Sequence, residues 1–327
     1  MNSSTIIPSV NLSDFISGDP NLKQKFVEEI GKAYEEIGFV ALKGHFLDES
    51  LVNELYKEIQ RFFDLEEDIK DKYEIEGIGG QRGFTSFGKE HAKGRTEGDL
   101  KEFWHFGQQI SDDSKYKGVY PENVIVKELP RFNIVGMEAY KLLEKTGIYV
   151  LRALALHIGL DEYYFDDFVM EGNSILRPIY YPPIETEPKG AVRAAAHTDI
   201  NLITLLMGAQ GKGLQVQNHQ GEWIDAIAEP DELMINVGDM LSRHTNNKLK
   251  STIHQVVNPD KSEWSTPRYS IPFFMHPISD MKLDCLDLCI DKDNLKLFSD
   301  ITAGDYDSKA LMRENFADGE KVRKYSI

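Results

Sequence analysis

The sequence predicts an α+β protein, on two observations. Apolar residues recur at helical spacing through the first half of the chain, whereas the second half breaks into short strand-like runs divided by glycine. Because the helical segments precede the strands instead of alternating with them, a sandwich or a jelly roll is expected rather than a parallel sheet.

Asp19-Pro20 reads as an N-cap followed by a first-turn proline. Behind it Phe26, Val27, Ile30, Ala33, Tyr34 and Ile37 form the inward stripe of an amphipathic helix. Gly38 to Leu42 is a short buried strand, and Asp48 caps a second helix whose buried face is Leu51, Leu55, Ile59 and Phe62. From Ile75 to Gly98 glycine is frequent and no period is visible, so the stretch is either an exposed connector or a pocket wall. It lacks the order of a phosphate-binding loop. In Lys101 to Gly107, alternation sends Phe103 and His105 one way and Trp104 and Phe106 the other, with His105 read as a structural histidine. The longest helical pattern runs from about Arg131 to Ile158, interrupted by Gly147 and closed by Gly159. Strand-like runs follow at 174–177, 213–217, 221–224 and 233–239, and a closing helix is expected from Lys309 to Phe316.

The chemistry gathers between Ala194 and Ser270. On an extended chain residues i and i+2 share a face, so His197 and Asp199 present an imidazole and a carboxylate side by side. His254 lies in a second β-branched, alternating run and offers a third ligand. Two imidazoles and one carboxylate form the facial triad of non-haem Fe(II) oxygenases, with positions left for substrate and O2. A His-x-Asp also arises by accident, and zinc accepts the same ligands. Arg268 and Ser270 separate these readings, because their i, i+2 spacing puts a guanidinium fork and a hydroxyl on one strand face. Such a fork suits a carboxylate, which a dicarboxylate co-substrate supplies and a zinc hydrolase does not need. His244, in a polar turn, ranks below His254 as a ligand; His219 is read as solvated and His276 as a strand-end residue.

The order His-x-Asp, distant His, Arg-x-Ser, preceded by Tyr180-Tyr181-Pro182-Pro183, resembles the Fe(II)/2-oxoglutarate-dependent dioxygenases of the isopenicillin N synthase-like family. Leu100 to Gly107 and Ile7 to Leu12 are similar to landmarks of that family, and the resemblance covers nearly the whole chain. It implies a double-stranded β-helix (jelly-roll) core flanked by N-terminal helices and a long supporting helix. It also implies that His197, Asp199 and His254 hold Fe(II), that Arg268 and Ser270 hold the distal carboxylate of 2-oxoglutarate, and that Tyr181 adds a hydroxyl. The chain departs from the family at Ile179, where Asn is frequent, so that polar contact is not carried over. The expected reaction oxidises a small organic substrate, most often by hydroxylation, with release of succinate and CO2. Rival readings are a same-fold iron oxidase that does not use 2-oxoglutarate, a zinc hydrolase and a non-catalytic jelly-roll binding protein.

A chain of 327 residues without repeats or linkers is expected to form a single domain. Within it, 1–160 is mainly helical, 174–278 is the jelly-roll core and 279–327 is a C-terminal extension. The net charge of −17 argues against a nucleic-acid partner, because a polyanion is repelled. No signal segment or membrane-length apolar run is seen, so a soluble, cytoplasmic protein is expected. Cys285 and Cys289 do not make a disulfide framework and are read as buried thiols in a reducing compartment.

Overall fold

The computed structural model describes residues 7–89, 100–185, 192–208 and 213–313, the side chains of 309–313 excepted. The chain opens with β1 (Ser9–Asn11), α1 (Leu12–Ile16), α2 (Pro20–Glu36), β2 (Phe39–Lys43), α3 (Glu49–Phe63) and α4 (Glu67–Lys70). Next come β3 (Gly83–Thr85), β4 (Glu102–Gly107), α5 (Pro130–Ile158) and α6 (Asp166–Val169). The second half supplies β5 (Ile175–Leu176), β6 (Ile179–Tyr181), β7 (Ala194–His197), β8 (Ile203–Met207), β9 (Leu214–Gln217) and β10 (Trp223–Asp225). It ends with β11 (Leu233–Val237), α7 (Asp239–His244), β12 (His254–Val256), β13 (Arg268–Met275) and α8 (Ala303–Arg313).

The helix starts follow from their caps. Asp19 accepts a 2.8 Å hydrogen bond from the Asn21 amide ahead of α2, and Asp48 accepts one of 2.8 Å from Leu51 ahead of α3. Each satisfies an amide that has no partner within the first helical turn. At the other end of α5, Gly159 adopts φ 86°, a left-handed conformation that glycine takes without a side-chain penalty. Gly147, expected to interrupt this helix, does not. The helix runs through it, and the missing side chain makes room for a neighbour: an added Cβ would lie 2.5 Å from the Met275 sulfur.

Two sheets stack. The larger has the order β1-β2-β11-β8-β13-β5-β4-β3, with β6 joined to both β13 and β4; the smaller has the order β10-β9-β12-β7. Strands from the first half of the chain therefore extend the larger sheet at both edges. Alternation then sorts each strand into two cores. In β2, Val40 and Leu42 pack toward the helices, while Phe39 and Ala41 join Ala194, Leu214, Val216 and Val256 between the sheets. In β11, Leu233, Ile235 and Val237 face the helices and Met234 faces inward. The helical layer is anchored by aromatic packing, with Phe62 of α3 stacked at 4.9 Å on Phe132 of α5 and edge-on to Trp104 of β4 at 4.9 Å.

Three further expectations are corrected. Within the glycine-rich stretch from Ile75 to Gly98, Gly83 to Thr85 is a buried strand paired with β4, because Phe84 has Trp104 directly opposite. Its residues 90–98 lie outside the described set. His244 does not sit in a polar turn. It ends α7, buried, with Nδ1 2.7 Å from the Asp284 carbonyl and Nε2 2.9 Å from the Tyr164 hydroxyl. The closing helix begins at Ala303, earlier than expected, and 314–316 lie outside the described residues. None of the described helices is long and apolar enough to cross a membrane.

Two outcomes are expected. Phe62→Ala removes a fully buried ring from the α3/α5/β4 contact and should lower unfolding stability by about 3–5 kcal/mol, read as a shift of the urea midpoint. Burial holds the His244 pKa below its ordinary 6.5, so the folded state binds its proton less readily than the unfolded chain. The stability it contributes is present above 6.5 and is lost as the pH falls below it, which a melting-temperature series across that range should show.

Candidate active site

The inner face of the larger sheet carries several buried polar residues. Asn236 of β11 and Thr204 of β8 are direct cross-strand partners, and Phe274 of β13 lies opposite Thr204 on the other side. Farther along the same face of β13 come Ser270, opposite Ile179, and Arg268, opposite Tyr181. Ile179, Tyr181 and Phe103 form a small apolar cluster there, so the side chain standing where the family often has Asn packs as a hydrophobic wall beside Ser270.

His197 ends β7 and His254 begins β12, and the two are register partners in the smaller sheet, with ring centroids 4.4 Å apart. Asp199 comes two residues after the strand that His197 ends, which carries its carboxylate across to the larger sheet. Its Oδ1 lies 3.7 Å from His197 Nε2 and 3.6 Å from His254 Nε2. Ligand atoms of these three side chains all fall within 4.8 Å of one another.

The surrounding hydrogen bonds aim those atoms. His197 Nδ1 lies 2.7 Å from the Ala195 carbonyl and His254 Nδ1 lies 3.1 Å from the Thr252 carbonyl. A carbonyl only accepts, so each Nδ1 carries the proton and each Nε2 turns a lone pair toward the shared centre. Asp199 Oδ2 accepts from Thr204 Oγ1 at 2.6 Å and from Asn236 Nδ2 at 2.7 Å, which leaves Oδ1 for the centre. Asp239 steadies the turn from behind: its amide donates to the Asp199 carbonyl at 2.7 Å, and its carboxylate accepts from Thr198 and Ser251. Gly238 permits this approach, since an added Cβ would lie 2.2 Å from the Asn201 carbonyl oxygen.

Charge states follow from the geometry. The His197 ring opens onto the mouth of the site, with 46% of its side chain accessible, yet withdrawal from bulk water and the neighbouring His254 push its pKa down to about 4. Burial acts to raise the Asp199 carboxyl, but the two imidazoles and the hydrogen bonds from Asn236 and Thr204 outweigh it and hold the pKa below the ordinary value. The result is a neutral His197 imidazole beside the Asp199 carboxylate, and with the His254 imidazole these make the donor set that a divalent metal ion requires. Arg268 tells of a second ligand. Its Nε and Nη1 are buried without a hydrogen-bond partner among the described residues, and its guanidinium carbon stands 5.1 Å from the Tyr181 ring. Buried donors of a half-buried guanidinium suit a carboxylate, which accepts from both.

Comparison with known proteins decides the family. Residues 7–128 match the family described as "non-haem dioxygenase in morphine synthesis N-terminal", and 172–277 match the "2OG-Fe(II) oxygenase superfamily". A solved 2OG-Fe(II) oxygenase family protein from Caulobacter crescentus is 37% identical, covers 94% of this chain and 98% of its own, and superposes with a TM-score of 0.86. The chain belongs to the Fe(II)/2-oxoglutarate-dependent dioxygenases of the isopenicillin N synthase-like family. The 2-oxoglutarate-Fe(II) type oxidoreductase hxnY of Emericella nidulans is 28% identical over 330 residues, 98% of this chain and 93% of the relative. A full-length Neurospora crassa protein solved in complex with alpha-KG and thymine is 28% identical, covers 95% of this chain and 98% of its own, and gives a TM-score of 0.83. This dioxygenase accordingly has the jelly-roll fold, uses Fe(II), 2-oxoglutarate and O2, and oxidises a small organic substrate with release of succinate and CO2.

Of the six residues singled out in the sequence, His197, Asp199 and His254 come together, while Arg268, Ser270 and Tyr181 lie on the paired strands β13 and β6. His105 is structural as expected, with Nδ1 2.6 Å from the Gly80 carbonyl and Nε2 hydrogen-bonded to Arg177. Sequence reasoning missed Thr204, Asn236 and Arg193. Asn236 carried a signal as a lone amide within an apolar run, Leu233 to Val237, where a polar group must find a buried partner. Arg193 carried none, because the register shifts between Ala194 and His197 and breaks the alternation that would relate it to His197. Thr204 carried none.

Asn236→Ala frees one bond to Asp199 Oδ2 and lets the carboxylate rotate. A roughly 10–100-fold loss of Fe(II) or Ni(II) affinity is expected, measured by calorimetric titration, with the melting temperature of the metal-free protein much less affected.

Proposed function

We propose that His197, Asp199 and His254 hold the ferrous ion of this dioxygenase, and that Arg268, Ser270 and Tyr181 receive the distal carboxylate of 2-oxoglutarate. The observation that supports this most directly is the convergence of two Nε2 atoms and Asp199 Oδ1 within 4.8 Å, on the interior that also holds the unsatisfied guanidinium of Arg268. When bound, iron supplies the coupling of O2 activation and 2-oxoglutarate decarboxylation to oxidation of a substrate C–H bond.

The chain's own part is placement and exclusion of water. Thr204 and Asn236 hold the Asp199 carboxylate in one rotamer, and the two backbone carbonyls fix the imidazole tautomers, so the ligands need no rearrangement on binding. Arg268, on a strand of the larger sheet, orients the co-substrate by its tail, while Ile179 and Tyr181 keep that end of the pocket dry. The substrate side is walled by Phe103 and Phe274, with the Arg177 guanidinium 4.5 Å and 5.1 Å from their ring centres. Such a wall suits a small, flat or compact organic molecule, and hydroxylation is the outcome favoured by the family. The unpaired, buried Cys285 and Cys289 are in keeping with a cytoplasmic enzyme.

Anaerobic addition of Fe(II) and 2-oxoglutarate should produce the weak visible charge-transfer band of the chelate, and admission of O2 should release succinate. His197→Ala and His254→Ala should lose both the band and succinate. Arg268→Gln should retain metal binding and raise the 2-oxoglutarate concentration needed for the band. Retention of band and succinate in both histidine variants would sink the ligand assignment.

A further inference from the structure

Arg193 lies four residues before His197, buried to 5% of its surface, in a protein whose net charge is −17. Its guanidinium carbon stands 5.7 Å from the centre of the Tyr181 ring, the same ring that Arg268 approaches at 5.1 Å. Its Nη2 reaches the Thr266 carbonyl at a long 3.5 Å, which places the group beside the start of β13, two residues from Arg268. Among the described residues its Nε, like Nε and Nη1 of Arg268, is buried without a hydrogen-bond partner. Arg193 forms no ion pair with a carboxylate among the described residues.

Two guanidiniums flanking one tyrosine repel each other. Burial, with Arg268 adding to it, holds the Arg193 pKa below its ordinary value; Tyr181 and Glu263 act the other way without restoring it. An arrangement of this kind is costly unless something of opposite charge completes it. Arg268 alone offers a fork for one carboxylate, so the second cation is not explained by binding a single pair of oxygens. It is explained if the far end of the pocket is built to discriminate a charged tail from a neutral one.

We propose that Arg193 is a second cation of the co-substrate pocket, acting with Arg268 on the distal carboxylate of 2-oxoglutarate and setting the preference for a dicarboxylate over a 2-oxo acid with a neutral tail. This rests on the assignment of Arg268 made above. Arg193 is a specificity residue at the tail of the co-substrate, remote from the reacting carbon, and its loss acts on binding.

The test is calorimetric binding to the full chain loaded with Fe(II) under anaerobic conditions. Two ligands are compared: 2-oxoglutarate and 2-oxopentanoate, which has the same chain length and a methyl group in place of the far carboxylate. Arg193→Gln should weaken 2-oxoglutarate about tenfold and leave 2-oxopentanoate unchanged, and it should flatten the salt dependence of 2-oxoglutarate binding. Arg193→Lys, which keeps the charge, should recover most of the loss. Unchanged 2-oxoglutarate binding in Arg193→Gln would overturn the proposal, as would an equal loss of both ligands, which marks a structural role. Arg268→Gln keeps the two assignments apart. If it binds 2-oxoglutarate like the parent, the Arg268 assignment fails and the proposal that Arg193 acts with it fails too; if it is weakened while Arg193→Gln is not, only the Arg193 proposal fails. Should the Gln variant fail to fold, Arg193→Met retains the buried stem, and the same comparison of two ligands decides.

Discussion

The Asp199 carboxylate divides its two oxygens between two duties, and the rest of the site depends on that division. Oδ2 is tied to Thr204 and Asn236, a cross-strand pair on β8 and β11, while Oδ1 is left facing both imidazoles. A carboxylate free to rotate would offer either oxygen, or both, and would lose the one-sided geometry that leaves positions open for co-substrate and O2. The constraint reaches far. Thr204 and Asn236 face inward only because β8 and β11 bury Ile203, Leu205, Ile235 and Val237 against the helices, and a one-residue slip would exchange the two faces. The helical layer therefore serves the chemistry indirectly, by fixing the register of the strands beneath it.

Electrostatics divides the molecule in a similar way. A chain of net charge −17 should repel a small dianion such as 2-oxoglutarate at long range. The interior reverses that sign locally, with Arg268 and Arg193 flanking Tyr181 and no carboxylate of the described chain paired with either. Salt screens charges at the surface far more than charges withdrawn from water, so on the proposed assignment the two guanidiniums outweigh the outer repulsion. The neutral His197 imidazole fits the same logic, because a proton on its Nε2 would stand where the metal needs a lone pair.

Much of the site was legible in advance because its signals are local. His197 with Asp199, and Arg268 with Ser270, are each an i, i+2 pair, and strand alternation alone puts both members of a pair on one side. The same holds for the caps at Asp19 and Asp48 and for the left-handed Gly159, whose effects are felt within one helical turn. Where the reading failed, the cause was a partner far away in sequence. Gly147 leaves α5 whole because Met275, from the last strand of the sheet, fills the space its side chain lacks. His244 lies in a polar stretch, yet it is buried by Tyr164 and the Asp284 carbonyl, groups 80 and 40 residues distant. Gly83 to Thr85 pairs with β4 despite its glycine-rich surroundings, because Phe84 finds Trp104 across the ladder.

By itself the sequence determined the α+β class, the order of the main helices and strands and the residues proposed to bind iron and a dicarboxylate, since residue type and spacing within one element carry that information. Only the tertiary structure decided that His254 lies opposite His197, that Thr204 and Asn236 take one oxygen of Asp199, and that Arg193 comes to rest beside Arg268. Those are contacts between strands, set by sheet register and by the packing of distant side chains, and no local period in a chain encodes which strand will become whose neighbour.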